Sequence, residues 1–355
     1  MKLTYALILA AAASGLASAQ TAYTTPVGYV TQTILQNSDT YVGLPLHQAV
    51  AYADAASAVT GSVVTITSAT PLTASQFAGT YYLKFTSGTA LGMWFPVTAN
   101  TTTTITLNLN GATLSAAAPD TFEVIPFWTL KTLFDPTVST TDPTTTANAI
   151  VASTSTLAGG RRTQLLVPDL VTAGTNLSAA SVYYAHSGLW KQPGQGNTDF
   201  GNTQLWPDTY FILRHPSTVT SNTAYTISGS VDMAAFNVNL ATQAATAQDV
   251  AVALPRPVDV TLNQLNLGGT TAFMNSTSTL AGGRRDQLLV FDNTVTAQNK
   301  SSAAIYYYHA GLWKQPGQGN TDFGTNTIKA GTGFIIRKYQ SGTGATSLWN
   351  HTSPY

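Results

Sequence analysis

The chain has 355 residues, no net charge, no cysteine, and only 8% charged residues, against about 25% in an average globular protein. Neutrality argues against electrostatic binding of nucleic acid or anionic membrane. The missing cysteine removes thiol nucleophiles, thiolate metal sites and disulfides.

Residues 1–19 carry a single charge, Lys2, then the run LTYALILAAAA, then Ala17-Ser18-Ala19 before Gln20. This is the layout of a secretory signal peptide, and no later stretch reaches the roughly 18 unbroken apolar residues of a spanning helix. The expected localisation is secreted or cell envelope, with no transmembrane segment after signal removal. Beyond residue 19 the chain is rich in Thr, Ser, Ala, Asn and Gly, with Thr, Val, Tyr, Ile and Phe alternating among them. That alternation predicts half-buried strands and an all-β fold class.

Residues 20–45 open the first unit, and residues 46–126 interrupt it. The interruption contains YYLKFTSG, GMWFPVTA and TTTTITLNLNG, three alternating runs separated by Gly, Ser and Asn, the pattern of hairpins. It is read as a small inserted β domain. Residues 127–228 complete unit 1, and 229–355 form unit 2. STSTLAGGRR at 153 recurs at 276, and the offset of 123 carries Gln164–Val167 onto Gln287–Val290, Tyr183 and Tyr184 onto Tyr306 and Tyr307, and FILR onto FIIR. It also superposes GLWKQPGQGNTDFG at 188 on an identical copy at 311. A second offset, 210, aligns DTYVGLP at 39 with DVAVALP at 249, each preceded by Gly-x-Val at Gly28 or Gly229. The architecture expected is two homologous β units, sandwich-like or barrel-like, from internal duplication.

LAGGRR reads as a tight turn into a strand, its two glycines supplying positive φ. It lacks the Gly-Lys-Ser/Thr of a phosphate loop, so Arg161, Arg162, Arg284 and Arg285 are expected to pair with Asp169 and Asp199, or Asp292 and Asp322, in their own units. Glu123 is the only glutamate, and most aspartates sit in turn contexts. His186 and His309 lie beside tyrosines without a second ligand at metal spacing. No catalytic, metal or cofactor residue is assigned, and no enzymatic activity is expected.

The fourteen-residue block reads as an ordered loop between strands and offers the one candidate ligand set: Trp190, Lys191, Asn197 and Asp199, with Trp313, Lys314, Asn320 and Asp322. An indole face beside neutral polar groups suits a sugar ring. The competing reading makes each Trp a core plug and each Asn-Thr-Asp a turn. The two are separated by the exposure of the indoles.

TTPVGYVT, Leu44-Pro45, KFTSGTALGMWFPVTANTTTTITL, DTFEVIPFWTL and the closing LWNHTSPY together resemble an uncharacterised family of secreted β-rich proteins abundant in Verrucomicrobia and related bacteria. The resemblance covers nearly the whole mature chain. It implies an envelope or extracellular protein and supplies no assigned activity or site residues. The leading expectation is a non-enzymatic structural or cell-surface protein whose partners are its own copies. The alternative is a carbohydrate-binding protein that meets cell-surface glycans through the duplicated loops.

Overall fold

The computed structural model describes residues 26–144 and 149–355; the signal-peptide reading of residues 1–19 lies outside them. The fold is all-β, as the alternation predicts. Unit 1 opens with β1 (Val27–Ile34) and β2 (Ser38–Val42). The chain then builds β3 (Tyr52–Thr60), β4 (Val63–Ile66), β5 (Tyr81–Phe85), β6 (Trp94–Asn100), β7 (Thr104–Leu107) and β8 (Thr121–Pro126). These six close into an antiparallel barrel in the order β3-β4-β7-β6-β5-β8.

Unit 1 resumes with β9 (Trp128–Thr129), the single-turn helix α1 (Leu130–Leu133), β10 (Gln164–Pro168), β11 (Ala179–His186), β12 (Leu189–Lys191), β13 (Gln204–Leu205), β14 (Phe211–His215) and β15 (Thr223–Ser230). Unit 2 has β16 (Phe236–Ala241), β17 (Gln248–Ala253), β18 (Val260–Thr261), β19 (Gln287–Val290), β20 (Ala304–His309), β21 (Leu312–Lys314), β22 (Thr327–Ile328), β23 (Gly333–Lys338) and β24 (Thr346–His351). The five-stranded sheets β2-β14-β10-β11-β12 and β17-β23-β19-β20-β21 have the same order. In each unit the first strand pairs with the last, β1 with β15 and β16 with β24. Gly28 and Gly229, which the sequence suggests as equivalent starts, instead face each other across the β1–β15 ladder. Gly229 and Ser230 therefore end unit 1, and β16 opens unit 2.

Period-two patterning places one face of each sheet inward. Leu165, Tyr183, Ala185, Trp190, Phe211 and Leu213 form the core of unit 1 with Ile34, Val42, Tyr225 and Ile227. Leu288, Tyr306, Trp313, Phe334 and Ile336 do the same in unit 2. Inside the barrel, Leu83, Phe85, Phe95, Ile105, Phe122 and Val124 fill the lumen. Tyr82 and Trp94 belong instead to the core of unit 2, and Trp94 stacks on Phe236. The insertion thus interrupts unit 1 in sequence and packs on unit 2 in space.

The units meet about a pseudo-two-fold axis. Asp39 N–H donates to Ala297 O at 2.8 Å, and its equivalent, Asp249 N–H, donates to Gly174 O at 2.9 Å. Gly43 N–H donates to Gly331 O, and Ala253 N–H to Asp208 O. Each unit's loop after its central strand thereby covers the other's outer sheet strand, β2 or β17. Tyr41, Tyr210, Ala251 and Ala253 form a small core at this seam, flanked by Phe291, whose ring stacks on Tyr41 at 3.7 Å.

On the axis the equivalent positions Gly43 and Ala253 touch, and a Cβ on Gly43 would collide with that of Ala253. Gly43→Ala should cost about 1–3 kcal/mol by overpacking, and Gly43→Ala/Ala253→Gly, which exchanges the pair across the axis, should recover most of it. Urea denaturation of the two variants measures this; a double variant no more stable than the single one would place the strain elsewhere.

Candidate functional site

The duplicated block is not wholly loop. Leu189–Lys191 and Leu312–Lys314 are the short outermost strands of the sheets, paired with β11 and β20. Trp190 faces Ala185 across its ladder, and Trp313 faces Tyr308. Register sets both indoles on the core side, and they are 0% and 1% exposed. Trp190 Nε1 donates to Phe134 O at 2.9 Å, while Phe273 and Tyr308 rings pack on Trp313. The accessible indole that sugar stacking requires is therefore absent from both copies; of the two readings Trp190 and Trp313 follow the core plug, and the candidate stacking role does not fit them.

The remaining candidates serve the same local design. Lys191 and Lys314 are buried instead of forming a rim: alternation along β12 and β21 turns them to the face opposite the indoles, where each meets the loop that follows. Lys191 Nζ donates to Asn197 Oδ1 at 2.8 Å and Lys314 Nζ to Asn320 Oδ1 at 3.4 Å. Asp199 Oδ1 accepts from Trp190 N–H and Gly201 N–H; Asp322 does the same for Trp313 and Gly324. Gly194, Gly196, Gly317 and Gly319 have positive φ, which explains why glycine recurs there. Asn197 and Asn320 themselves are exposed.

The LAGGRR segments form 3-10 turns at Ala158–Gly160 and Ala281–Gly283, and their glycines do not adopt the expected positive φ. Gly160 and Gly283 are needed because a Cβ would collide with Ser155 or Ser278. The arginines do not form the expected pairs with aspartates. Arg161 and Arg284 donate to Thr156 O and Thr279 O and lie over the rings of Tyr184 and Tyr307 at 5.0 and 5.3 Å. Arg162 donates to Thr218 O, whereas Arg285 donates to Gly282 O and covers Tyr339. Asp169 and Asp292 accept from backbone N–H groups two residues on, so local capping consumes the carboxylates.

Three polar clusters escaped the sequence reading. At the seam, Arg214 grips Asp39 through Nε and Nη2, both at 2.6 Å, and donates to Asn299 Oδ1 of the opposite unit. Arg337 grips Asp249 and donates to Asn176 Oδ1 in the equivalent way. The offsets of 123 and 210 contained this signal, since they align all six residues.

The second cluster joins the barrel to the start of unit 2. Lys84 Nζ pairs with Asp232, and Arg256 donates to the carbonyls of Asp232, Ala234 and His351. Burial pulls the Lys84 ammonium below its ordinary pKa, with Asp232 opposing; burial and Arg256 lower His351 to about 4. The third cluster contrasts the units. Lys338 pairs with Asp286 in unit 2, while the equivalent residues in unit 1, His215 and Thr163, form a neutral hydrogen bond at 3.0 Å. His215 Nε2 is bonded to Thr223 Oγ1 as well, and burial lowers the ring to about 4. One further carboxyl, Asp208 at the seam, is raised by burial to about 6.

His186 and His309 each hold a backbone carbonyl, of Ser153 and Ser276, through Nδ1. Among the described residues no group of three or more His, Asp or Glu could hold a metal ion, and no helix is long and apolar enough to cross a membrane. A cleft between the barrel and both units, lined by His47, Tyr82, Trp128, Asp232 and Phe236 among others, leaves about 10 Å³ free. A second, beside Trp206 and Tyr210, leaves about 20 Å³. Each has room for about one water. No family model, curated protein or solved structure matches the chain.

Trp190→Ala and Trp313→Ala should each cost about 3–5 kcal/mol, read as a lower urea midpoint; a loss below about 1 kcal/mol would mean the indoles are not core plugs. A pH dependence follows from His215. Its folded pKa lies below the unfolded value, so protons bind the unfolded chain first and stability falls as pH drops from about 6.5 toward 4. Between pH 7.5 and 5 its share is about 2 kcal/mol, partly offset by Asp208, which gains stability on acidification. His215→Gln should remove that share, and an unchanged pH slope would show that His215 does not carry it.

Proposed function

We propose that this chain is a non-enzymatic, secreted structural or cell-surface protein that works through packing contacts. The observation supporting this most directly is the fate of the duplicated block. In both copies Trp, Lys, Asn and Asp are engaged with one another, with the core and with the backbone in matching ways, so constraint on the block is accounted for by folding. The resemblance to a secreted envelope family points the same way. So does the composition, since a surface of Thr, Ser and Asn with few charges lets neighbours approach without like-charge repulsion.

The sugar-binding alternative requires exposed indoles and gains no support from buried ones. The purified protein is expected to turn over no member of a panel of glycosides, esters and peptides, and to bind no glycan on an array. Turnover of a substrate overturns the proposal. So does glycan binding that disappears in an Asn197→Ala/Asn320→Ala variant shown by circular dichroism to stay folded, since these exposed asparagines also accept from the buried Lys191 and Lys314.

A further inference from the structure

The ladder register fixes which backbone groups of β1 are free. Val231 N–H donates to Pro26 O, and Val27 faces Ser230 in a ladder running to Ile34 opposite Thr223. In an antiparallel pair, hydrogen-bonded and non-hydrogen-bonded partners alternate. Gly28, Val30, Gln32 and Ile34 therefore bond toward β15, and the N–H and C=O groups of Val27, Tyr29, Thr31 and Thr33 point away from it. The same count turns Ser230 outward on β15, and Ser230 does exchange both backbone bonds with His47 on that side.

Most other sheet edges are covered or short. β2 and β17 are covered by the loop of the opposite unit, and β12 and β21 are three residues long. β16, the topological counterpart of β1, has its outward Asn237 N–H bonded to Gly92 O of the barrel, with the Asn237 side chain on Leu91 O. No described residue bonds to the outward backbone of β1. Its sequence, VGYVTQTI, has none of the devices that usually block an edge: no charge, no proline, no bulge. The outward residues also carry exposed apolar side chains, with Val27 at 79% and Tyr29 at 77%.

We propose that the outer edge of β1 pairs with β1 of a second copy of this chain, antiparallel about a two-fold axis, giving a four-stranded sheet β15-β1-β1-β15 across the two molecules. A two-fold pairing uses each edge once and so closes. An uncharged strand meets its own copy without repulsion, and cross-strand contacts among Val27, Tyr29, Thr31 and Thr33 add to the backbone bonds. The two homologous units within one chain already meet about a pseudo-two-fold axis by covering each other's sheet edges. The proposal rests on the structural reading above and names its partner.

The test compares wild type with Thr31→Pro, which deletes an outward N–H but no backbone β1–β15 bond, losing only the exposed Thr31–Thr226 hydroxyl contact, by sedimentation over a dilution series. Thr31→Lys/Thr33→Lys, which sets like charges on the edge and spares the backbone, serves if the proline variant does not fold. Wild type should form a concentration-dependent dimer, with slowed hydrogen exchange at Tyr29, Thr31 and Thr33 only when concentrated. Either folded variant should weaken the dimer at least about tenfold, a loss of about 1.4 kcal/mol.

Leu348→Lys, on the shorter uncovered edge of β24, should leave the dimer unchanged. A wild type that stays monomeric, a dimer indifferent to the β1 variants, or one lost only with Leu348→Lys would overturn the edge assignment. Those outcomes are separate from turnover or glycan binding, which would overturn the structural reading itself.

Discussion

Arg214 with Asp39 and Arg337 with Asp249 decide how the halves of this chain meet. Each pair spans the outer two strands of its own sheet, so it forms as soon as that sheet does. Each arginine then has a donor left over, which an asparagine of the other unit accepts. Asn299 N–H and Asn176 N–H in turn reach the same carboxylates, Asp39 and Asp249, at 2.7 Å each. Both asparagines sit at positive φ, a conformation their side chains tolerate better than most. The guanidiniums are partly exposed but Asp39 and Asp249 are nearly buried, so each carboxylate depends on its arginine and on the backbone donor for compensation, and the net gain from the pair is modest. Their value lies in direction: bidentate geometry orients the edge that the second unit must cover.

The barrel depends on a different kind of bond. Its lumen is apolar and self-sufficient, but the outer faces of β5 and β6 carry Tyr82, Lys84 and Trp94 onto unit 2. Burying Lys84 is unfavourable unless it is paired, and Asp232, in the short segment between β15 and β16, supplies the partner. Arg256 holds that segment through the carbonyls of Asp232 and Ala234 and ties it to β24 through His351 O. The insertion, the joint between the units and the start of unit 2 are thereby locked to one another, and the cleft among them shrinks to the size of a water.

The two units also show that one position can be satisfied in unlike ways. Lys338 with Asp286 and His215 with Thr163 occupy equivalent sites between the same two strands. The charged pair needs the extra bonds it receives from Ala272 O, Met274 N–H and Tyr339 N–H. The neutral pair needs fewer, and Thr223 with Val151 N–H provides them. Both units keep a satisfied polar contact at this matching position, while the chemistry meeting it differs.

Strand content, the repeat and the inserted hairpins were legible in the sequence because alternation and self-similarity are local properties of the chain. Gly160 and Gly283 were visible as required glycines, though for the wrong reason: a collision with Ser155 or Ser278, not positive φ, excludes a side chain. The fates of Trp190, Lys191 and the paired arginines were not legible. Whether an indole in a Gly-rich block faces a sugar or a core depends on the register of a three-residue strand against its neighbour. Whether Arg161 meets a carboxylate or a tyrosine ring depends on which strand crosses beneath it. By itself the sequence determined the strand-rich elements and the repeat of their segments; only tertiary structure decided which side chains were left free, because burial is set by the neighbours that non-local packing brings.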